Sequence, residues 1–215
     1  MRVIMIPVGM IGTNCCLAYD ETSLEGIVVD PGDDAEKILQ TVNMHHVTVT
    51  HILLTHGHFD HTMAVAALKR ETNAAVCIHA LDAQMLLSAE ESLLYHFFDA
   101  SADFDSVQAD ILWDGGETFS AAGQTFTVYN TPGHTPGSVC YDTGDIMFSG
   151  DTLFASSCGR CDLPGGNTAH MLSSLRYLHE LKGDRIIYPG HERQTTLETE
   201  RMKNFAMWQA VAMKR

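Results

Sequence analysis

The chain carries the segment Thr-His-Gly-His-Phe-Asp-His at residues 55–61. Four of its side chains are imidazole or carboxylate groups, the ligands of zinc and related transition ions: His56, His58, Asp60 and His61. So dense a set of ligand groups is not expected of an ordinary surface loop. Residues 47–55 are β-branched and apolar enough to predict a buried strand that presents the segment at its end.

Three further ligand-type residues stand in turns rich in glycine or proline: His134, Asp151 and His191. Residues two apart in a loop that leaves a strand can turn toward one ion. We therefore expect His56 and His58 to bind a first metal ion, which His134 completes. The histidines outside this pattern are interpreted as ordinary residues.

A second ion is expected beside the first, bound by Asp60, His61 and His191. Asp151 would bridge the two ions, which lie roughly 3.5–4 Å apart in two-metal hydrolases. About three protein ligands per ion leave room for a substrate, as a catalytic site requires. The ions would hold a bridging hydroxide near neutral pH because they lower the pKa of water. Asp60 is the predicted catalytic residue, since it would bind and orient that hydroxide.

Length and charge narrow the range of functions. The 215 residues are enough for one well-buried domain, and we expect a single domain over 1–215. The formal net charge is −14 with only 13 lysines and arginines, which argues against a nucleic-acid-binding surface. No apolar stretch approaches the roughly 20 residues that cross a bilayer. We expect a small-molecule substrate, no nucleic-acid or membrane partner, and a monomer or homodimer.

The six cysteines do not suggest a disulfide framework in a chain of this length. The apolar start is interrupted by Pro7 and Gly9 and lacks the cleavage site of an export signal. We therefore expect a cytoplasmic protein with free thiols. Cys158 and Cys161 form a C-x-x-C pair, which we interpret as two unconnected thiols in a turn.

The hydrophobic pattern predicts two β-rich halves that each carry helices. Strands are predicted at residues 2–6, 13–19, 26–29, 47–55 and 75–79, then at 118–120, 124–130, 138–142, 145–149 and 185–188. Helices are predicted at about 33–42, 62–70, 81–88, 168–181 and 197–212, and residues 89–110 are irregular. Two such halves imply two packed sheets with helices outside.

Five motifs together resemble the metallo-β-lactamase superfamily over nearly the whole chain. They are Asp-Pro-Gly at 30–32, the segment 55–61, Thr-Pro-Gly-His-Thr-Pro-Gly at 131–137, Ser-Gly-Asp-Thr-Leu-Phe at 149–154 and Pro-Gly-His at 189–191. The resemblance implies an α/β fold of the αββα sandwich type, with the metals at one edge of two mixed sheets. It implies the ligand roles given above and a supporting contact from Asp30 to the ligand loop.

Within that superfamily the resemblance favours the glyoxalase II-like thioester hydrolases. β-Lactamases lack an aspartate at the position of Asp151, flavodiiron oxygen reductases carry glutamate at the position of His58, and nucleases add basic or extra domains. Cys-Gly-Arg at 158–160 resembles the glyoxalase II segment that places a basic residue at the substrate, so Arg160 is the predicted contact to a substrate carboxylate. Only 24 residues follow His191, whereas glyoxalase II adds a helical domain that contacts glutathione.

The chemistry of the predicted site also favours a thioester. No side chain is obviously placed as a general acid, and a thiolate, whose conjugate acid has a pKa of about 8.5, leaves without one. We therefore predict a dinuclear metal hydrolase, with zinc favoured over iron or manganese, acting on an S-acyl-glutathione-like substrate.

Three alternatives to this function stay open. One is a persulfide dioxygenase whose single iron is held by His56, His134 and Asp151. The others are a hydrolase of lactones or esters and a metal-binding protein without activity. Two ions per chain would favour hydrolysis, whereas a single iron with oxygen consumption would favour the dioxygenase.

Overall fold

Two six-stranded β-sheets face each other in the computed structural model, which describes residues 1–213. The first sheet follows chain order: β1 (Arg2–Val8), β2 (Thr13–Tyr19), β3 (Glu25–Val29), β4 (Thr48–Leu53), β5 (Ala75–His79) and β6 (Ile111–Trp113). The second also follows chain order and contains β7 (Thr118–Ala121), β8 (Gln124–Asn130), β9 (Val139–Asp142), β10 (Ile146–Gly150), β11 (Ile186–Pro189) and β12 (Thr195–Thr196).

Helices cover the outer face of each sheet. The first half carries α1 (Ala35–Met44), α2 (Phe59–Thr62), α3 (Val65–Thr72), a 3₁₀ helix (Ala80–Leu87) and α4 (Leu94–Phe97). The second half carries α5 (Thr168–Glu180), α6 (Leu197–Lys203) and α7 (Phe205–Ala212). Separate apolar clusters join each sheet to its helices. The predicted αββα sandwich is therefore confirmed.

A third apolar cluster fills the space between the sheets. Phe126, Tyr141 and Phe148 from the second sheet meet Ile27 and Leu53 from the first. Successive side chains of a strand point to opposite faces, so a strand covered on both sides is buried throughout. β2 shows this pattern, since all seven of its residues are buried. The interface between the sheets fixes where their strand ends lie.

The parallel strands bring the ligand segments together. β3 runs parallel to β4, and β10 runs parallel to β11. Parallel neighbours end at the same edge of a sheet. Residues 55–61 follow β4, Asp151 follows β10 and His191 follows β11. The topology therefore places the predicted ligands of these segments at one edge of the sandwich.

Some local predictions differ from the structure. Residues 81–88 were expected in an α-helix, but the backbone forms the tighter 3₁₀ helix. The expected helix at 197–212 is two helices, because Asn204 leaves helical geometry and its side chain accepts a hydrogen bond from the backbone N–H of Met207. Strands β6 and β12 were not predicted. None of the helices within residues 1–213 is long and apolar enough to cross a membrane.

Candidate metal centre

The seven predicted ligands converge at the edge of the sandwich. Their donor atoms form three overlapping groups, and the atoms within each group lie within 4.8 Å of one another. The groups are His56, His58 and His134; His56, His61 and Asp151; and Asp60, His61 and His191. The first and last groups contain the ligand sets that the sequence predicts for two ions, and the middle group shares residues with both.

The first group is held in a defined orientation by a hydrogen-bonded chain. The hydroxyl of Thr55 donates to Oδ2 of Asp30 at 2.6 Å, so it can only accept from Nδ1 of His56, 3.2 Å away. That proton on Nδ1 leaves Nε2 of His56 with a free lone pair. This buried Nε2 has no hydrogen-bond partner within residues 1–213. An unpartnered buried acceptor of this kind is what an ion would satisfy.

His134 is oriented in the same way. Its Nδ1 donates to the backbone carbonyl of Arg160 at 2.7 Å, which leaves Nε2 as an acceptor. Nε2 of His134 lies 2.8 Å from Nδ1 of His58. Two ring nitrogens this close need a proton or a cation between them.

The second group is assembled around Asp60. Oδ2 of Asp60 lies 3.5 Å from Nε2 of His61 and 3.3 Å from Nε2 of His191. The hydroxyl of Thr13 donates to the same oxygen at 3.1 Å. On the far side of His61, Nδ1 lies 3.0 Å from Oδ2 of Asp30. Asp30 thus supports His61 directly and His56 through a hydroxyl, as expected of a residue behind the ligand loop.

Asp151 lies between the two groups. Its Oδ2 is 3.5 Å from Nε2 of His134 and 3.6 Å from Nε2 of His191. Its Oδ1 is 3.5 Å from Nε2 of His61 and is buried without a hydrogen bond. The two oxygens of one carboxylate therefore face histidines of both groups.

The electrostatics of the cluster suit cations. Burial and the neighbouring histidines lower the pKa of His56, and burial lowers the pKa of His58 to about 3. Burial acts in the opposite direction on Asp60, yet His61 and His191 hold its pKa below the usual range. Burial would lower the pKa of His61, but three surrounding carboxylates raise it to about 10. Carboxylates that favour a proton on His61 would equally favour a metal cation there, so the residues fit a pair of divalent ions.

Two glycines allow the loops to approach this closely. A Cβ on Gly190 would lie 2.3 Å from Oδ1 of Asp151, and a Cβ on Gly32 would lie 1.6 Å from the backbone oxygen of Asp60. Neither position has room for a methyl group. The glycines of the Asp-Pro-Gly and Pro-Gly-His motifs are thus explained by packing against the ligands.

Sequence reasoning missed Asp82, in the 3₁₀ helix. Its carboxylate is fully buried and accepts hydrogen bonds from the N–H of Gly57 at 3.1 Å, the hydroxyl of Thr135 at 2.6 Å and the N–H of Gly137 at 2.7 Å. Burial raises its pKa despite these bonds. Asp82 ties the loop of His56 and His58 to the loop of His134. A lone aspartate in an apolar stretch carries no sequence signal of such a role.

Arg160 lies beside the cluster, but its guanidinium is paired with another residue of the chain and is not free for a substrate. Its guanidinium is exposed and makes two hydrogen bonds of 2.7 Å to the carboxylate of Asp162. The side chain lines the same cavity as His134, Asp151 and His191. The direct contact of Arg160 with the ligands is made by its backbone carbonyl. Its predicted bond to a substrate carboxylate stays a prediction.

A family model described as the metallo-beta-lactamase superfamily matches residues 11–191. The chain belongs to the metallo-β-lactamase superfamily. An uncharacterised protein of Aquifex aeolicus is 36% identical over 95% of this chain and 96% of its own length. The hydroxyacylglutathione hydrolase GloC of Haemophilus influenzae is 30% identical over 95% of this chain and 97% of its own length.

Two solved structures are similar over nearly the full chain. BLEG-1, a B3 metallo-β-lactamase, has a TM-score of 0.89 and 32% identity, covering 96% of this chain and 99% of its own. TTHA1623 in a di-iron-bound form has a TM-score of 0.82 and 33% identity, covering 94% and 99%. Sequence reasoning had set the β-lactamases aside, and the similarity to BLEG-1 does not support that exclusion.

Proposed function

We propose that this protein is a dinuclear metal hydrolase that cleaves thioesters. The observation that carries the dinuclear part is the position of Asp151, whose two oxygens lie 3.5–3.6 Å from histidines of both ligand groups. The alternative single-iron set of His56, His134 and Asp151 lies within the same cluster, since Oδ2 of Asp151 is 3.5 Å from Nε2 of His134, so the number of ions per chain distinguishes the two functions. The similarity to a di-iron-bound structure adds support.

The proposed roles follow from the geometry. Two divalent ions, with zinc preferred and iron or manganese also suited to these ligands, would polarise a substrate carbonyl and activate water at neutral pH. All seven clustered residues are the proposed ligands. Asp60 is the proposed catalytic residue, because its carboxylate is fixed by Thr13 and faces the cavity that would hold substrate.

The choice of a thioester depends on the leaving group and on one relative. The nearby tyrosine before the Pro-Gly-His motif, Tyr188, is not placed as a proton donor, because its ring packs against Phe148 and it does not line the cavity of the cluster. A thiolate depends less on a donor than an alkoxide or amine does. GloC, similar over nearly the whole chain, is named for hydrolysis of a hydroxyacylglutathione.

Elemental analysis of natively purified protein, followed by a substrate panel, tests the proposal. The panel contains S-lactoylglutathione, a simple acyl thioester, a lactone and a β-lactam. Two ions per chain with thioester turnover is the expected result. A single iron with oxygen consumption, or turnover confined to the lactone or the β-lactam, would overturn the thioester proposal. Two ions without any turnover would identify a metal-binding protein that lacks activity.

A further inference from the structure

A second cavity adjoins the one that contains the ligand cluster. It has a volume of about 320 Å³, beside about 420 Å³ for the cavity of the cluster. The two share Ile11, Phe59 and Asp60 as lining residues. Both volumes lie within the range of small-molecule sites. A substrate whose reacting carbonyl sits at the ligands can therefore extend one arm into each cavity.

The second cavity is walled mainly by apolar side chains. Phe59, Met63 and Phe98 belong to a small apolar cluster separate from the main cores. Across from them, the turn between β1 and β2 contributes Met10 and Ile11, which are 84% and 50% exposed. Two large apolar side chains presented to solvent at the mouth of a cavity are typical of a ligand site.

The charges around both cavities disfavour an anionic substrate. Arg160 is the only lysine or arginine among the described residues that line them, and Asp162 already neutralises it. Asp33 and Asp103 line the apolar cavity, and Glu192 lines the other. Apart from the proposed ligands and their ions, the fixed charges at the site are therefore acidic on balance. A substrate with several carboxylates would be repelled.

We propose that the apolar cavity binds the hydrocarbon acyl chain of the substrate, and that the preferred substrates are neutral thioesters rather than glutathione thioesters. This inference rests on the proposed thioester hydrolysis and names its substrate class. The acyl arm is assigned to the apolar cavity because natural carrier thiols are polar. Glutathione has two carboxylates and one ammonium group, so its thioesters carry a net negative charge into an acidic cleft.

The test uses metal-loaded protein and two matched series of thioesters. N-acetylcysteamine thioesters from acetyl to octanoyl vary the acyl chain on a neutral thiol. We expect kcat/KM to rise about threefold per methylene group until the cavity is filled. Hexanoyl-N-acetylcysteamine and hexanoylglutathione differ only in the thiol, and we expect the neutral one to react at least about tenfold faster.

A substitution at the junction of the cavities locates the effect. Ile11→Glu places a carboxylate where the two cavities meet, and we expect it to lower kcat/KM for octanoyl thioester about tenfold or more while changing acetyl thioester about twofold. Met44→Glu introduces the same carboxylate at a 73% exposed apolar residue that lines neither cavity, and it serves as the control. Calorimetry with N-octanoyl-N′-acetylethylenediamine and its acetyl counterpart, in which an amide N–H replaces the thioester sulfur and resists hydrolysis, gives a binding measurement independent of turnover.

The outcomes separate the two proposals. Thioester hydrolysis that is indifferent to chain length, or faster with hexanoylglutathione, overturns this inference and leaves the proposed function intact. An Ile11→Glu effect equal on short and long chains also overturns the placement of the acyl chain. Absence of turnover on every thioester overturns the proposed function and this inference with it.

Discussion

The two halves of the ligand cluster differ in their access to solvent. His56, His58 and His134 are each at most 3% exposed. In the other half, the side chains of Asp60 and His191 are 15% and 20% exposed. A buried ion exchanges slowly and a partly open one meets substrate, so we expect the first half to hold its ion more tightly. The open half is the one that faces both cavities, through Asp60.

The two halves also differ in what supports them. The loops of the buried half are tied together by the carboxylate of Asp82. The loop of His191 is instead held by Asn14, whose side chain donates to the backbone oxygens of Pro189 at 3.1 Å and Glu192 at 2.8 Å. One half is thus anchored by a buried charge and the other by a neutral amide. Substitutions that act on one half at a time can separate these contributions.

The largest effect is expected from Asp151→Ala, which removes the residue that joins the halves. We expect a fall in kcat of about 10³-fold, because a Lewis-acid contribution of several kcal/mol is lost, together with loss of one of the two ions. Steady-state kinetics and elemental analysis of the same preparation measure both. Full activity with two ions retained would contradict the bridging role.

An intermediate effect is expected from Asp82→Asn, which acts on the buried half alone. The amide keeps one acceptor oxygen and presents a donor in place of the other, so at least one of the bonds from Gly57, Thr135 and Gly137 is lost and the tie between the two loops weakens. We expect affinity for the ion of the buried half to fall about 10–100-fold, and the ion of the open half to be retained. Metal titration with elemental analysis measures this.

Asp142→Asn is the matched control for that substitution. Asp142 is another buried carboxylate. Its Oδ1 lies 2.8 Å from Nε of Arg185, and neither residue belongs to the ligand cluster. Breaking this pair is expected to lower the free energy of unfolding by about 3–5 kcal/mol without changing metal affinity. Thermal unfolding of the metal-free proteins compares the two variants. If Asp82→Asn only destabilises the fold, as the control does, Asp82 has no separate role at the metal centre.

Much of the fold could be predicted because the sequence carries local signals for it. β2 at Thr13–Tyr19 and β8 at Gln124–Asn130 were predicted with their observed bounds, and α5 within one residue. Short edge strands such as β12, which has two residues, form because they pair with a neighbouring strand. They are too short to show an alternating hydrophobic pattern. The break at Asn204 depends on distant partners, since its side chain also donates to the backbone oxygen of Ser157.

In the candidate site, too, residues with a local sequence signal could be predicted, and residues whose role depends on distant partners could not. The ligand-type residues were recognisable because folding alone rarely requires imidazole and carboxylate groups to be packed so densely in loops, and the fold does bring them together. Asp82 could not be found, because its role exists only when the loops of His58 and His134, 76 residues apart in the chain, close around it. The ion pair between Arg160 and Asp162 could have been predicted from the sequence, since the two residues are only two positions apart.

The smallest effect is expected from Arg160→Ala, beside His134 of the buried half. The guanidinium forms an exposed ion pair, which contributes little, and the carbonyl that orients His134 belongs to the backbone and is retained. We expect kcat/KM on neutral and glutathione thioesters to change by less than about threefold. Gly159→Ala, one residue earlier, should be far more damaging, because its Cβ would lie 2.0 Å from the backbone oxygen of Asp151. A tenfold rise in KM for S-lactoylglutathione alone in Arg160→Ala would instead show that the arginine leaves Asp162 to bind a substrate carboxylate.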